Sequence, residues 1–298
     1  MEENKKKINI KKIIYYSLLV FFALVFIGSA IYIGKYLWDS KEVKDTYNDL
    51  SDLRDQHMTT APPSTTLPGS TDVPPTSVPV DPSDPVDPSD PTDPPEPTEP
   101  PEPTEPGILP ELEAIYQLNN DMVGWISFPD SKIDYPVMQT PSDPNYYLYR
   151  DFYGNTSSWG AIYAGEAFDV NTPSDNVVLY GHNMKDGQMF GTLKKWQFKS
   201  YWEEHPTFSF DTLYEHRTYQ IFAVFKTTAI ADKGFQYHTF VNAKNEAAFD
   251  KFIDMIKRLD YYDTGITPVY GDKILLLSTC ESTLSHGRFV VCAVLVDE

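Results

Sequence analysis

Near the start of this chain, residues 13–34 (IIYYSLLVFFALVFIGSAIYIG) form a run of 22 residues without a charged side chain. As a helix with a rise of about 1.5 Å per residue, the run is roughly 33 Å long, enough to cross the hydrocarbon core of a bilayer. Hydrocarbon offers the backbone no water to bond, so a single crossing segment has to be helical. The run therefore predicts one transmembrane helix, because charged flanks on both sides argue against a buried core helix.

Lysines flank this run unequally. Five precede it and three follow it: Lys5, Lys6, Lys7, Lys11 and Lys12, then Lys35, Lys41 and Lys44. The excess before the run predicts a cytoplasmic tail at residues 1–12 and an extracellular location for everything after it. The alternative is a cleaved signal peptide with a weak site at Gly28, Ser29 and Ala30. The apolar run continues past that point, which favours an uncleaved anchor.

Residues 60–106 are rich in Pro, Thr, Ser, Asp and Glu and hold almost nothing apolar to bury. An acid recurs there at every third position: Asp81, Asp84, Asp87, Asp90, Asp93, Glu96, Glu99, Glu102 and Glu105. A polyproline II helix has three residues per turn, so in that conformation all these carboxylates fall on one side. We expect a disordered or polyproline linker that holds the following domain away from the membrane. The alternative is a recognition stripe for a cationic wall polymer. Residues 35–59 are expected to be a juxtamembrane segment, with a short helix and no chemistry.

Residues 107–298 are mixed and aromatic-rich, and 192 residues suffice for one sizeable core. They contain 25 acids against 15 Lys and Arg, a net charge of −10. This acidity argues against a nucleic-acid partner. Two cysteines are no disulfide framework, although they could form one bridge. The sequence has no phosphate loop, GxSxG elbow, HExxH or CxxC pair, so we expect no cofactor and no metal.

Short apolar or alternating runs dominate the globular part. Apolar residues at helical spacing predict a helix near its start, over Ile108, Leu112, Ile115 and Leu118. A second, amphipathic helix is predicted in NEAAFDKFIDMIKRLD, with Phe249, Phe252, Ile253 and Ile256 on one face. The strand segments are KIDYPVMQ, GAIYAGEAF, NVVLYGHNM, TYQIFAVFKTTA, KILLLSTC and RFVVCAVLV. Six to eight strands with few helices between them predict a mainly β protein, a barrel or a sandwich.

Three side chains that could do chemistry stand at predicted strand ends: His182, Cys280 and Arg288. A cysteine attacks a carbonyl carbon as its thiolate. An imidazole can take the thiol proton and later protonate a leaving amine. A guanidinium can stabilise the oxyanion of a tetrahedral intermediate without losing its charge. These three groups suffice for acyl transfer from an amide.

Each of the three also has a structural explanation. Cys280 could be a small buried side chain, His182 a loop residue, and Arg288 a surface charge at a strand start. His286 is a competing base on the turn between the last two strands. The remaining candidates are expected on the surface, at His205, His216 and His238, or in the core, at Cys292. The SHG of the L,D-transpeptidase signature is present, but arginine follows it instead of cysteine, which disfavours that family.

A longer set of segments resembles the sortases, most of all class B. The matching segments are NNDMVGWISFPDSKIDYPVMQ (119–139), NYYLYRDFYG (145–154), LYGHNMKDGQMFGTL (179–193), LLLSTC (275–280) and GRFVV (287–291). They extend over nearly all of residues 108–298, which makes the resemblance far more specific than a bare motif. The insertion from Thr227 to Asp272, which contains the amphipathic helix, fits the class B connection between strands 6 and 7.

The resemblance implies an eight-stranded β-barrel and a cysteine transpeptidase of Gram-positive cell walls. Cys280 would attack the Thr carbonyl of a sorting peptide on a secreted protein, forming a thioacyl enzyme. An amine from a wall precursor or a pilin lysine would release the product. His182 would be the acid and base, and Arg288 the oxyanion or substrate clamp. Candidate substrate-binding residues are Tyr180, Ser278, Thr279 and Glu281.

One departure concerns an acidic residue that some class B members carry two positions after the cysteine. Here that position is Ser282, and the acid is Glu281. Two other functions stay open: an exported cysteine hydrolase that releases its acyl group to water, and a non-catalytic surface domain on a stalk.

Overall fold

A computed structural model describes residues 10–60 and 107–296. The helices are α1 (Ile10–Thr60), α2 (Pro110–Tyr116), α3 (Lys199–Glu204) and α4 (Glu246–Leu259). The strands are β1 (Met122–Ser127), β2 (Asp134–Met138), β3 (Ile162–Ala164), β4 (Asn176–Tyr180), β5 (Thr207–Thr212), β6 (Thr218–Thr228), β7 (Ile274–Glu281) and β8 (Gly287–Val296). Most of the predicted cytoplasmic tail and nearly all of the predicted polyproline linker lie outside the described residues.

The eight strands close into one barrel in the order β1-β2-β3-β4-β7-β8-β6-β5. Two pairs are parallel, β2 with β3 and β4 with β7, and the other pairs are antiparallel. The apolar runs of β4 and β7 do not alternate because both faces of these strands are buried. The prediction of a mainly β, eight-stranded barrel is confirmed. Strand β5 was not predicted, although TFSFDT buries every second side chain.

Helix α4 lies in the long connection between β6 and β7, as predicted. It begins after Asn245, whose side chain accepts a hydrogen bond from the backbone N–H of Ala248. Its buried face consists of Phe249, Phe252, Ile253 and Ile256. The same connection contains Tyr237, which is buried against the barrel and reaches the site described below.

The second half of α1 packs on the barrel. Tyr47 and Leu50 are buried in the same core as the strands, and α1 also packs against α2. The guanidinium of Arg54 lies 4.6 Å from the ring centre of Trp125. Its Nη1 donates to Asp134 Oδ1 at 2.7 Å. Residues 36–54 are therefore attached to the barrel by apolar, aromatic and ionic contacts together.

This packing changes the interpretation of residues 35–59. The short helix expected in this juxtamembrane segment is part of α1, which runs unbroken from Ile10 to Thr60. Residues 61–106 join Thr60 to the segment that leads into α2, and both helices contact each other. The expectation that residues 60–106 hold the barrel away from the membrane concerns residues of which all but Thr60 lie outside those described, and it stays a prediction. The boundary of the catalytic domain at residue 107 remains a prediction.

The first half of α1 exposes its apolar side chains. Phe26 and Tyr32, for example, are 75% and 74% exposed. Within the described residues, α1 is the one helix that is long and apolar enough to cross a membrane, judged by length and composition.

Candidate active site

Cys280 and Arg288 lie opposite each other on β7 and β8, close to the end of their ladder. One more pair, Glu281 with Gly287, follows before the turn. Cys280 is exposed, whereas the seven other residues of β7 are buried. The Nη1 atom of Arg288 lies 3.9 Å from the sulfur of Cys280. The two strands therefore deliver a thiol and a guanidinium side by side to the rim of the barrel.

Strand β4 brings His182 to the same rim. It is parallel to β7, and Tyr180 lies opposite Ser278. His182, two positions after Tyr180, and Cys280, two positions after Ser278, therefore lie at the same level of the barrel. Asn183 ties these ends together, because its Nδ2 donates to the carbonyl oxygen of Cys280 at 2.8 Å. All three predicted catalytic side chains thus meet at one end of the barrel.

The imidazole of His182 is held from the side of residues 147–160. Its Nε2 lies 2.7 Å from the carbonyl oxygen of Leu148. A carbonyl only accepts hydrogen bonds, so Nε2 is the protonated nitrogen. The ring of Tyr149 packs against the imidazole at 5.6 Å between ring centres. In the neutral ring, Nδ1 therefore keeps the lone pair and is the nitrogen that can accept a proton.

Two grooves adjoin at the cysteine and the arginine. The arginine-side groove, of about 460 Å³, is lined among others by Tyr163, Glu166, Phe168, Tyr180, Tyr237 and Arg288. The histidine-side groove, of about 430 Å³, is lined among others by His182, Lys185, Lys194, Cys280 and Glu281. Cys280 lines the histidine-side groove and Arg288 the arginine-side groove, so the contact between the sulfur and the guanidinium lies where the two grooves adjoin. Such an arrangement can serve a reaction with two substrates.

Buried phenols form the wall of the arginine-side groove. Burial raises the pKa of Tyr163 to about 12, although the positive charge of Arg288 opposes the shift. Burial likewise raises the pKa of Tyr237 to about 12, against its hydrogen bond with Ser278 and the charge of Arg288. Both phenols are therefore neutral at physiological pH, and they act there as hydrogen-bonding and apolar surfaces.

The four candidate substrate-binding residues occupy different places. Tyr180 lines the arginine-side groove. Ser278 and Thr279 are buried, and their hydroxyls bond to protein: Ser278 Oγ lies 2.6 Å from the Tyr237 hydroxyl, and Thr279 Oγ1 donates to the carbonyl oxygen of Gly181 at 2.7 Å. These two hydroxyls bond β7 to the β6–β7 connection and to the residue that follows β4.

Glu281 lines the histidine-side groove, but its carboxylate is already bonded. Oε1 lies 3.4 Å from Lys226 Nζ, and Thr283 donates to Oε2 through both its backbone N–H and its hydroxyl. Burial opposes ionisation, yet the hydrogen bonds from Thr283 and the charge of Lys226 outweigh it and lower the pKa of Glu281. The carboxylate therefore fixes the start of the β7–β8 turn.

The competing histidine and the second cysteine considered from the sequence lie apart from the three catalytic candidates. His286 is exposed on the β7–β8 turn with φ of 51°, and its Nδ1 lies 3.2 Å from Ser285 Oγ. Cys292 is completely buried, and burial raises the pKa of its thiol. Both cysteines fall within the described residues, and both are free thiols.

Among the histidines expected on the surface, His216 is exposed beside Glu111 and Asp211. His205 is half-buried, and its carbonyl oxygen accepts from the indole of Trp196. His238 is exposed but lines the arginine-side groove, where burial and the charge of Arg288 lower its pKa. The position of His238 in this groove depends on how the β6–β7 connection folds back over the barrel, and no local sequence pattern predicts that fold.

Comparison with known proteins identifies relatives of this chain. A family model described as a sortase domain matches residues 126–296. Sortase B of Listeria monocytogenes is 32% identical over 188 residues, which are 62% of this chain and 74% of that protein. Sortase B of Staphylococcus aureus is 29% identical over 191 residues, which are 63% of this chain and 76% of that protein.

Solved structures agree with these sequence relatives. The crystal structure of sortase B from B. anthracis in complex with AAEK1 has a TM-score of 0.56 at 34% identity, covering 64% of this chain and 86% of that one. The Staphylococcus aureus sortase B–substrate complex has a TM-score of 0.58 at 29% identity, covering 64% and 87%.

Proposed function

Because this chain belongs to the sortase family and is of class B, a cysteine transpeptidase by descent, we propose that it joins secreted proteins to cell-wall amines through a thioacyl intermediate on Cys280. The observation that carries the proposal is the meeting of Cys280, Arg288 and His182 at one rim of the barrel. The thiol is exposed, a guanidinium touches it, and an imidazole with a fixed tautomer stands at the neighbouring strand end.

In the first half of the reaction, the sulfur of Cys280 attacks the carbonyl carbon of a threonine in the sorting peptide. The thiol proton passes to His182, and Arg288 holds the negative charge that develops on the carbonyl oxygen. The C–N bond then breaks, and His182 returns the proton to the leaving amine. Cys280 is left with a thioester to the threonine.

In the second half, an amine attacks the thioester carbonyl from the free side. His182 takes a proton from the attacking nitrogen, and Arg288 again stabilises the oxyanion. Breaking the C–S bond returns the thiol of Cys280 and yields a new amide, so protons and electrons balance over the cycle. Since Nε2 of His182 donates to the Leu148 carbonyl, the transferred proton is carried on Nδ1.

Two grooves suit two substrates. We assign the sorting peptide to the arginine-side groove, where the apolar and phenolic walls of Tyr163, Tyr180 and Tyr237 surround an extended chain beside Arg288. We assign the amine acceptor, from a wall precursor or a pilin lysine, to the histidine-side groove. In this assignment Ser278, Thr279 and Glu281 support the site from behind, and Tyr180 contacts the substrate.

The first half of α1 supports a single-pass membrane anchor. Its apolar side chains are exposed, and the lysine excess before residue 13 favours an N-terminus in the cytoplasm. The barrel then lies outside the cell, where exported proteins and wall precursors meet.

The test is a product analysis. The full-length chain in detergent is incubated with a library of threonine-containing peptides, with and without an amine acceptor, and products are read by mass. A peptide–amine adduct that needs Cys280 is the expected result. Cleavage to a free acid with no adduct at saturating amine would instead identify a hydrolase, and no cleavage by wild type would identify a non-catalytic domain.

A further inference from the structure

His182 lies between two segments, which we name the histidine loops: residues 147–160 and residues 182–191. The first provides the carbonyl of Leu148 and the ring of Tyr149, which contact the imidazole. It also brings Gly160 so close that an added Cβ would stand 3.1 Å from His182 Cδ2. The second contains His182 itself and closes on it, because the backbone N–H of Phe190 donates to the His182 carbonyl. The position of the ring therefore depends on how these two loops sit relative to each other.

Asp186 joins the two histidine loops. It belongs to the second loop, and Trp159 of the first loop donates its indole N–H to Asp186 Oδ2 at 3.3 Å. Within its own loop, Asp186 accepts from the backbone N–H of Gln188 through Oδ1 and from the Gln188 side chain through Oδ2. One carboxylate thus binds to both loops.

Helix α1 completes this network. Ser40 donates its hydroxyl to Asp186 Oδ2 at 2.7 Å, and the Gln188 side chain donates back to the Ser40 hydroxyl and carbonyl oxygens. Tyr36 stacks on Trp159 with 5.4 Å between ring centres. Partial burial disfavours the charge on Asp186, but the bonds from Ser40, Gln188 and Trp159 outweigh it and lower the pKa of this carboxyl. The carboxylate is therefore ionised, and Ser40 of α1 is one of its hydrogen-bond donors.

A second contact from α1 reaches the first loop about two helical turns after Ser40. The hydroxyl of Tyr47 donates to the carbonyl oxygen of Gly160 at 3.3 Å, and both groups are buried. Gly160 has φ of 61°, and an added Cβ there would stand 2.6 Å from the carbonyl oxygen of Leu148, the group that accepts from His182. Tyr47 therefore binds the first histidine loop and Ser40 binds the second, and the imidazole lies between these loops.

We propose that residues 36–47 of α1 are a positioning element for the acid–base histidine, with Ser40 and Asp186 as its positioning residues. The proposal rests on the proposed function, because it assigns His182 a proton-transfer role. Helix α1 does not touch the reacting atoms. It sets the spacing of the two loops that hold the ring, so the membrane-proximal helix and the catalytic rim are one mechanical unit.

The test uses the full-length chain in lipid nanodiscs and four variants. Ser40→Ala and Asp186→Asn remove the bonds at the junction, and Ser40→Thr keeps the hydroxyl. Asp45→Ala changes an exposed carboxylate on another face of the same helix and serves as control. Each variant is assayed for kcat and KM of acyl transfer. Each is also labelled with ¹³C-histidine, so that the His182 imidazole signal, assigned by its loss in His182→Ala, can be followed.

A displaced general acid–base slows the chemical step more than it weakens binding, so we expect Ser40→Ala and Asp186→Asn to lower kcat about 10-fold while KM changes less than about twofold. The His182 signal should move in both. Ser40→Thr and Asp45→Ala should keep the wild-type kcat and signal. Tyr47→Phe, a milder change in the same contact area, should move the signal in the same sense if Asp186→Asn fails to fold.

Unchanged kcat and an unmoved His182 signal in Ser40→Ala would overturn the proposal. So would a lower melting temperature without either change, because α1 would then only stabilise the barrel. A moved His182 signal in a chain whose wild type lacks transpeptidase activity would overturn the proposed function and leave the coupling between α1 and the ring in place.

Discussion

The β7–β8 ladder contains both cysteines of the chain and gives them opposite surroundings. Cys292 pairs with Leu276 in the middle of the ladder and is completely buried. Burial raises the pKa of its thiol, so it stays a small apolar side chain. Cys280, on the partner strand, stands at the last pair but one, exposed and 3.9 Å from a guanidinium.

What separates the two thiols is distance from the rim. In the middle of the ladder, strands on both sides and side chains from the core cover every face. At the rim the hydrogen-bonded pairs run out, and the two grooves open around the side chains that remain. A strand pair that is rigid in its interior thus holds reactive groups at its end with little freedom to move, and activity should follow position along the ladder.

The largest expected effect tests the two cysteines against each other. Cys280→Ala should abolish peptide cleavage and alkylation, whereas Cys292→Ala should keep both and lose stability, because it removes a buried sulfur. Activity assays and intact mass after alkylation measure the two effects. Preferential labelling of Cys292 in the folded chain would show that Cys292, and not Cys280, is the reactive thiol.

The next effect concerns the partners at the rim. His182→Ala and Arg288→Ala should each lower kcat/KM by about 100-fold or more, equivalent to roughly 2.7 kcal/mol of transition-state stabilisation. Arg288→Lys should not restore activity, because an ammonium lacks the planar fork of a guanidinium. Steady-state kinetics of acyl transfer measure this. Near wild-type activity in Arg288→Lys would mean that charge alone is sufficient.

A smaller effect is expected at Glu281, the neighbour of Cys280 on β7, and it concerns stability. Glu281 follows Cys280, but its side chain is 3% exposed and bonded to Lys226 and Thr283. Because its folded-state pKa lies below the ordinary 4.5, the carboxylate stabilises the fold above that pH, and this contribution is lost as the pH falls below it. Glu281→Gln should cost about 1–2 kcal/mol at pH 7 and nearly nothing in acid.

Thermal unfolding of the detergent-solubilised chain at several pH values measures this difference. Glu203→Gln, which alters an exposed carboxylate, is the matched control and should shift the melting temperature little at any pH. Equal destabilisation by Glu281→Gln at pH 7 and in acid would show that the charge contributes nothing.

The smallest effect is at the turn beyond the rim. His286 lies six residues after Cys280 but is exposed and bonds to its neighbour Ser285. His286→Ala should change kcat/KM less than about twofold, because the residue lies beyond the last strand pair. An inactive His286→Ala variant together with an active His182→Ala variant would show that His286, and not His182, is the acid–base residue.

Local pattern was enough to predict the rim. An apolar run that ends in Cys280, a short turn and a run that starts at Arg288 describe an antiparallel pair, whose register then places the two side chains opposite each other. The face of α4 could be read from apolar spacing in the same way. These predictions succeed because period and turn length are short-range properties.

The docking of α1 could not be read in this way. Ser40 and Asp186 are 146 positions apart, and neither stands in an unusual local sequence. A polar, charged helix after an apolar run suggests a solvated spacer, and only the surface formed by Trp159, Asp134 and Trp125 reveals its partner. Strand β5 was missed for another reason: Ser209 and Asp211 interrupt its apolar residues, although its alternation is regular.

The unbroken course of α1 also determines how this enzyme would find its substrates. Ser40 comes only six positions after Gly34, where the apolar run ends, about 9 Å along the helix. If the apolar run crosses the membrane as proposed, a barrel held that close to the lipid would reach polypeptides that are still held in the same membrane, but few that have diffused away. Encounter then becomes a search in a plane, governed by lateral diffusion and by the number of molecules per unit of membrane area, and bulk concentration outside the cell matters little.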